Sequence, residues 1–283
     1  MKLIDHAAIR IATESFGSPE DEPIVLSMGA TTSMLGWPLA LCEGLAAAGF
    51  FVIRYDHRDT GLSTTRAPGE GDYGVMDLSD DLVAILDGYG LAAAHVVGMS
   101  LGGFIGQITA LRAPERIRTL TLIGSEPLGW DGEPLPHISD AFMTHFADFG
   151  TLDWTDREAV TRFLLGIAEL SAGSAHPFDQ AAARAVIEAD LDRSETIRSA
   201  FNHSTIGADL DPTLRLQDIT QPVLVIHGSE DPVLPLPNGE AIARTAQHGE
   251  LFVLEGTGHE LAAADLPAIE REIVAFERRH PIG

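Results

Sequence analysis

Five residues, Gly98-Met99-Ser100-Leu101-Gly102, constrain this chain more than any others. They follow an apolar β-type run, His95-Val96-Val97, and open a helical pattern at Gly103-Phe104-Ile105-Gly106-Gln107. A serine between strand and helix sits on a strained turn. Small neighbours are needed there so that the two elements can pass closely. The helix start also offers free N–H groups and a positive dipole end, which suit a developing oxyanion. Ser100 is therefore the candidate nucleophile.

A serine hydroxyl is a poor nucleophile at neutral pH and needs a base. The chain has 11 histidines, so position must select among them. The apolar run 223–227 leads into Gly228-Ser229-Glu230-Asp231-Pro232-Val233, and the run 251–254 leads into Glu255-Gly256-Thr257-Gly258-His259. Both segments leave strands at their C-terminal ends, the edge where open α/β sheets bind ligands. The order Ser, Asp, His makes His259 the candidate base and Asp231 the candidate orienting acid. Glu230 and Glu126 are rivals for the acid. Pro232 fixes the turn in favour of Asp231 and aims Glu230 to the opposite side. An oxyanion hole needs two backbone N–H groups. Leu101 supplies one. The loop Met28-Gly29-Ala30-Thr31-Thr32-Ser33 supplies the other, at Ala30, with Gly29 allowing close approach to the turn.

Short apolar runs at 8–13, 24–28, 51–55, 95–98, 120–123, 223–227 and 251–254 alternate with helical patterns at 38–48, 78–89, 102–112, 239–246 and 266–279. Continuous apolar strands between helices predict a mainly parallel sheet covered on both faces. The rhythm breaks over 125–221, which holds no strand pattern. Helical segments are expected there at 137–150, 156–170, 178–190 and 194–206. The chain thus divides into an α/β unit, 1–124 with 222–283, and a helical insertion, 125–221. Within the insertion, Phe142, His145 and Phe146, together with Thr31 of the early loop, are candidate substrate contacts; His203 is a further histidine in the insertion that could reach a substrate.

The segment Asp56-His57-Arg58-Asp59-Thr60-Gly61 mixes charges. An arginine directly after His57 repels a metal cation, so internal pairing that braces the loop is expected and no metal or other cofactor is implied. Cys42 is the sole cysteine, which excludes an internal disulfide and a Cys-based metal site.

The 283 residues carry 18 Lys+Arg against 42 Asp+Glu, a formal charge of −24, and Lys2 is the one lysine. No basic cluster is available for a phosphate backbone or an anionic membrane surface. The arginine bias reads most simply as source composition. With no signal-like or membrane-spanning apolar run, a cytoplasmic monomer or homodimer acting on a small molecule is expected.

These residues resemble those of the α/β-hydrolase serine esterases. Met28-Gly29-Ala30, Leu35-Gly36-Trp37-Pro38, the run Ile53 to Gly61, and His95 to Ser100 are most similar to the aclacinomycin methylesterase branch, and also to serine-dependent macrolide esterases from antibiotic-resistance settings. The resemblance implies an α/β-hydrolase fold with a helical cap inserted after the sixth strand. It implies Ser100, Asp231 and His259 as triad, Ala30 and Leu101 as oxyanion donors, and hydrolysis of a bulky polyketide-like ester or lactone. A common D-x-R-G-x-G loop carries Asp59 here in place of glycine. Two alternatives stay open: a cofactor-free perhydrolase or C–C bond hydrolase with the same triad, and a ligand receptor that keeps the fold.

Overall fold

The computed structural model describes residues 1–206 and 210–282. Residues 207–209 of the expected insertion and Gly283 of the expected α/β unit lie outside the described residues. Eight strands form one sheet: β1 (Lys2–His6), β2 (Ile9–Phe16), β3 (Glu22–Ser27), β4 (Phe50–Tyr55), β5 (Ala94–Met99), β6 (Ile117–Ile123), β7 (Val223–Gly228) and β8 (Gly249–Leu254). Their spatial order is β1-β2-β4-β3-β5-β6-β7-β8. The pairings of β1 with β2 and of β2 with β4 are antiparallel, and the other five are parallel. The parallel strands therefore deliver the ends of β3 to β8 to one edge.

Five helices flank the sheet. Leu41 and Leu45 of α1 (Leu39–Ala47) join Ile269, Ile273 and Phe276 of α8 (Leu266–Arg279) in one apolar layer. On the other face lie Leu78, Leu82 and Ile85 of α2 (Val75–Tyr89), Ile105 and Ile108 of α3 (Leu101–Arg112), and Ile242 of α7 (Pro237–Thr245). β4, β5 and β7 are buried along their whole length, as their unbroken apolar runs require.

After β6 comes a helical insertion: α4 (Asp140–Phe146), α5 (Arg157–Ser171), α6 (Gln180–Arg193) and a 3₁₀ segment, Ile197–Thr205. Ser139, Asp156 and Asp179 start the three helices by accepting backbone N–H groups of the first turn. The expected helix 137–150 is α4 followed by a 3₁₀ turn, Ala147–Thr151, and the expected helix 194–206 is the 3₁₀ segment. Among the described residues no helix is long and apolar enough to cross a membrane.

At the sheet edge away from Ser100, four fully buried polar side chains hold one another. His95 Nδ1 lies 2.6 Å from Glu277 Oε2 and 2.8 Å from Thr119 Oγ1. Thr119 and Thr121 both donate to the Glu277 carboxylate, Thr121 at 3.2 Å. Removing one partner of such a group leaves the rest desolvated and unpaired, which costs about 3 kcal/mol or more. Glu277→Ala is expected to lower the thermal midpoint by roughly 6–12 °C, at about 2–4 °C per kcal/mol for a chain of this size. Differential scanning calorimetry checks this, and kcat/KM at 20 °C should stay near wild type because the group is remote from Ser100.

Candidate active site

β5 ends at Met99 and α3 begins at Leu101, so Ser100 alone makes the turn, at φ 52° and ψ −119°. Non-glycine residues seldom enter positive φ. The close packing explains the glycines around it. A Cβ on Gly102 would stand 2.0 Å from the Ser27 carbonyl oxygen, and one on Gly98 would stand 2.4 Å from that of Gly102. Ser100 N–H donates to the Ile123 carbonyl at 2.9 Å, and Ser125 Oγ donates to the Ser100 carbonyl at 3.0 Å.

The loops after β7 and β8 meet beside this turn. His259 Nδ1 lies 2.6 Å from Asp231 Oδ2, and the carboxylate is fully buried. Asp231 Oδ1 accepts the N–H groups of Val233 and Leu234, each at 2.8 Å. A carboxylate held this way gives His259 an Nδ1–H and leaves Nε2 as the basic nitrogen. The Gly124 backbone lies against both side chains: a Cβ there would be 3.2 Å from Asp231 Oδ2 and from His259 Nδ1. Gly124 and Ser125 thus tie the Asp231–His259 pair to Ser100.

Glu230 turns away from His259 and accepts Ser174 N–H and Oγ in the insertion. Glu126 faces His137 at 4.0 Å, and burial pushes its carboxyl up from the usual range. Gly29 packs on the turn, where a Cβ would stand 3.4 Å from Ser100 Cβ. This places Gly29 beside Ser100, the residue before the Leu101 N–H that opens α3. Thr31 follows at φ 63°.

The expected substrate contacts in the insertion sit differently. Phe142 is only 4% exposed and stacks on Phe146. His145 stacks on Phe163, with Nε2 2.8 Å from the Phe163 carbonyl. Phe142 and His145 therefore belong to the insertion's aromatic core with Phe149, Trp154 and Phe201. Phe146 is half-buried and packs in the same core against Phe142, Phe163 and Phe201. His203 is 4% exposed with both ring nitrogens committed to backbone, so it offers nothing to a ligand.

The charged loop after β4 is braced by internal pairs. Asp56 accepts both guanidinium nitrogens of Arg193 at 2.9 Å, and Arg58 forks onto Asp81 at 2.6 and 2.8 Å. Asp59 occupies positive φ, 66°, the conformation that favours glycine there. Its Oδ2 accepts Tyr73 Oη at 2.7 Å and Asn202 Nδ2 at 2.8 Å. Arg193 and Asn202 come from the insertion, and no local motif marks either of them. Also unforeseen is His227, whose Nε2 lies 2.6 Å from the Leu234 carbonyl and 3.7 Å from Asp231 Oδ2. Its place at the end of β7, four residues before Asp231, was the available signal. Among the described residues no three His, Cys, Asp or Glu side chains converge as a metal site would require.

Residues 22–263 match the family model for the alpha/beta hydrolase fold. The chain is an α/β-hydrolase. It is 35% identical over 294 residues to the rhodomycin D methylesterase DnrP of Streptomyces peucetius, with 98% of each chain covered. It is 34% identical to the rhodomycin D methylesterase DauP of a Streptomyces strain, again with 98% of each covered. A hydrolase of Pseudomonas aeruginosa of known structure superposes with a TM-score of 0.74 at 28% identity, covering 97% of both chains. Carboxylic-ester hydrolysis is typical of this family, and this α/β-hydrolase is an ester hydrolase of the serine type.

The fully buried His57 gives the hydrolase an acid sensitivity. Burial pushes its imidazole down to about 3 from the ordinary 6.5. Between these values the unfolded chain binds a proton that the folded chain refuses, so stability falls as pH drops below 6.5. From pH 7 to pH 5 this loss is on the order of 2 kcal/mol. Burial lowers His203 and His227 as well, with the same sign. Asp190 opposes them, since burial raises it to about 6 and the folded state takes its proton first. The urea midpoint is expected to be lower at pH 5 than at pH 7, and His57→Gln should flatten that dependence. An unchanged slope in the variant would contradict the assignment.

Proposed function

We propose that the protein is a carboxylic-ester hydrolase in which Ser100, His259 and Asp231 form the catalytic triad, acting on a bulky polyketide-like methyl ester or lactone. The observation that carries this reading is the 2.6 Å contact from His259 to the buried Asp231, on the sheet edge where Ser100 makes its strained turn. In the proposed reaction His259 Nε2 takes the Ser100 proton as Oγ attacks the ester carbonyl. The Ala30 and Leu101 N–H groups receive the oxyanion. His259 then protonates the leaving alcohol, and an acyl group stays on Ser100 Oγ. Water, deprotonated by His259, releases the acid. Asp231 stays ionised throughout and holds the imidazole.

The substrate class is supported by two relatives named as rhodomycin D methylesterases that align over nearly the whole chain, insertion included. Residues 1–124 with 222–283 are proposed as the catalytic unit and 125–221 as the cap that selects substrate. Thr31, next to the proposed donor Ala30, and the half-buried Phe146 are the proposed contacts from the early loop and the cap.

Ser100→Ala is expected to reduce kcat/KM for p-nitrophenyl butyrate by about 10³-fold or more, and Asp231→Asn to reduce kcat by about 10⁴-fold. Stopped-flow or steady-state absorbance at 405 nm reads both. Activity of Ser100→Ala near wild type would sink the mechanism. A mass-spectrometric screen of polyketide methyl esters and macrolactones decides the substrate: released methanol marks a methylesterase, and uptake of water with ring opening marks a lactonase.

A further inference from the structure

The loop after β3 is gripped on both sides of the Gly29–Ala30 peptide by two buried histidines. On the sheet side, His57 Nε2 lies 2.8 Å from the Met28 carbonyl and donates to it. On the insertion side, Thr31 N–H donates to His203 Nδ1 at 3.1 Å. His203 Nε2 in turn donates to the Arg58 carbonyl at 2.8 Å. His57 and Arg58 are neighbours in sequence, so the contacts close a ring: Met28 to His57, Arg58 to His203, His203 to Thr31. The two imidazoles meet edge to face, with centroids 5.9 Å apart. Arg58 is itself anchored on Asp81 of α2. Inside this ring lie only Gly29 and Ala30, and Gly29 packs on Ser100.

We infer that His203, carried in by the insertion, is a positioning residue: with His57 it holds the Gly29–Ala30 peptide so that the Ala30 N–H points at the oxyanion. The inference rests on the reading of Ala30 as a donor to the tetrahedral intermediate. Two further observations favour it. Thr31 is a β-branched residue at φ 63°, a conformation that costs on the order of 1–3 kcal/mol and persists only when neighbours enforce it. The bond to His203 is made by the N–H of that same residue. The clamp also needs a neutral imidazole with a bare Nδ1, and burial holds His203 below its ordinary value, keeping it neutral. An oxyanion donor acts through fixed placement, so loosening it should weaken the transition state more than the bound substrate.

The two ring nitrogens of His203 are separable by substitution. Asn places an oxygen where Nδ1 accepts from Thr31, and Gln places an N–H where Nε2 donates to Arg58. His203→Gln is expected to lose about 10- to 100-fold in kcat on p-nitrophenyl butyrate, with KM within about twofold of wild type. His203→Asn should recover most of kcat although it gives up the Arg58 bond. Active sites are counted by titration with a p-nitrophenyl phosphonate, so that kcat refers to folded enzyme. The reverse ranking, equal losses in both variants, or a change in KM alone would overturn the clamp. Nitrogen-15 spectra of histidine-labelled wild type give a second measurement independent of the variants. A protonated Nε2 and bare Nδ1 at His203 are expected, with both shifting on phosphonylation of Ser100, and an Nδ1–H tautomer would overturn it. The failures are distinguishable: activity in Ser100→Ala refutes the esterase mechanism, whereas an inactive Ser100→Ala beside a fully active His203→Gln refutes the clamp alone.

Discussion

Ser100 holds a backbone conformation that a residue with a side chain enters only under constraint, and the constraint comes from close packing. β5 and α3 approach so tightly that Gly98 has no room for a Cβ, and Gly102 has none against the Ser27 carbonyl at the end of β3. Bonds from Ser100 N–H to Ile123 and from Ser125 Oγ to the Ser100 carbonyl close the remaining freedom. Strain of this kind costs on the order of 1–3 kcal/mol and is sustained by the surrounding core. Ile105 and Ile108 of α3 are fully buried and anchor the helix that begins at the turn. The position of Oγ, the direction of α3 and the location of the Leu101 N–H are three consequences of one turn.

The parallel strands then bring every other functional loop to the same edge. The chain after β3 reaches Ser100 through Gly29, that after β6 through Ser125, and those after β7 and β8 meet Gly124 through Asp231 and His259. The insertion docks on this edge with two feet. One is made of backbone: His259 N–H donates to the Ser171 carbonyl at 2.7 Å, and Ala175 N–H to that of Gly256 at 2.9 Å. The other is made of side chains, Arg193 on Asp56 and His203 on Thr31. The same insertion therefore touches the loop of the proposed base and the loop of the proposed oxyanion donor.

The sheet was legible in sequence wherever burial was two-sided. The runs that became β3 to β7 are apolar because helices cover both faces, whereas the edge strand β8 was read from its apolar run 251–254 although only Leu254 in it is buried. β1 was missed because Lys2–His6 is an edge strand with one buried residue, Ile4, and so lacks any apolar run. In the insertion, the helical patterns at 156–170 and 178–190 became α5 and α6, yet the 3₁₀ character of Ile197–Thr205 left no pattern, since i,i+3 spacing in so short a stretch mimics an α-helix. The candidate site was legible where its chemistry lies in covalent neighbours: glycines around Ser100, Pro232 beside Asp231, and the loop ending at His259. His203 and Arg193 were not, because nothing local distinguishes a cap histidine or arginine whose partner lies some 140 to 170 positions away.

The arginine bias takes on structural meaning at a few positions. Arg58 on Asp81 and Arg193 on Asp56 each use two nitrogens against both carboxylate oxygens, and both carboxylates are buried. A lysine ammonium offers a point charge and no planar fork, so it would leave one buried oxygen without its partner. Exposed pairs such as Arg279 with Glu250 gain little from the distinction. The two forks matter because of what they fix. Arg58 carries the carbonyl that receives His203, and Asp56 also accepts the Met34 N–H at the end of the loop that begins with Gly29. Charge pairing on the far side of that loop and histidine bonding on its near side thus act on the same few peptide units. In the proposed mechanism the geometry offered to an oxyanion is set by groups that never touch it.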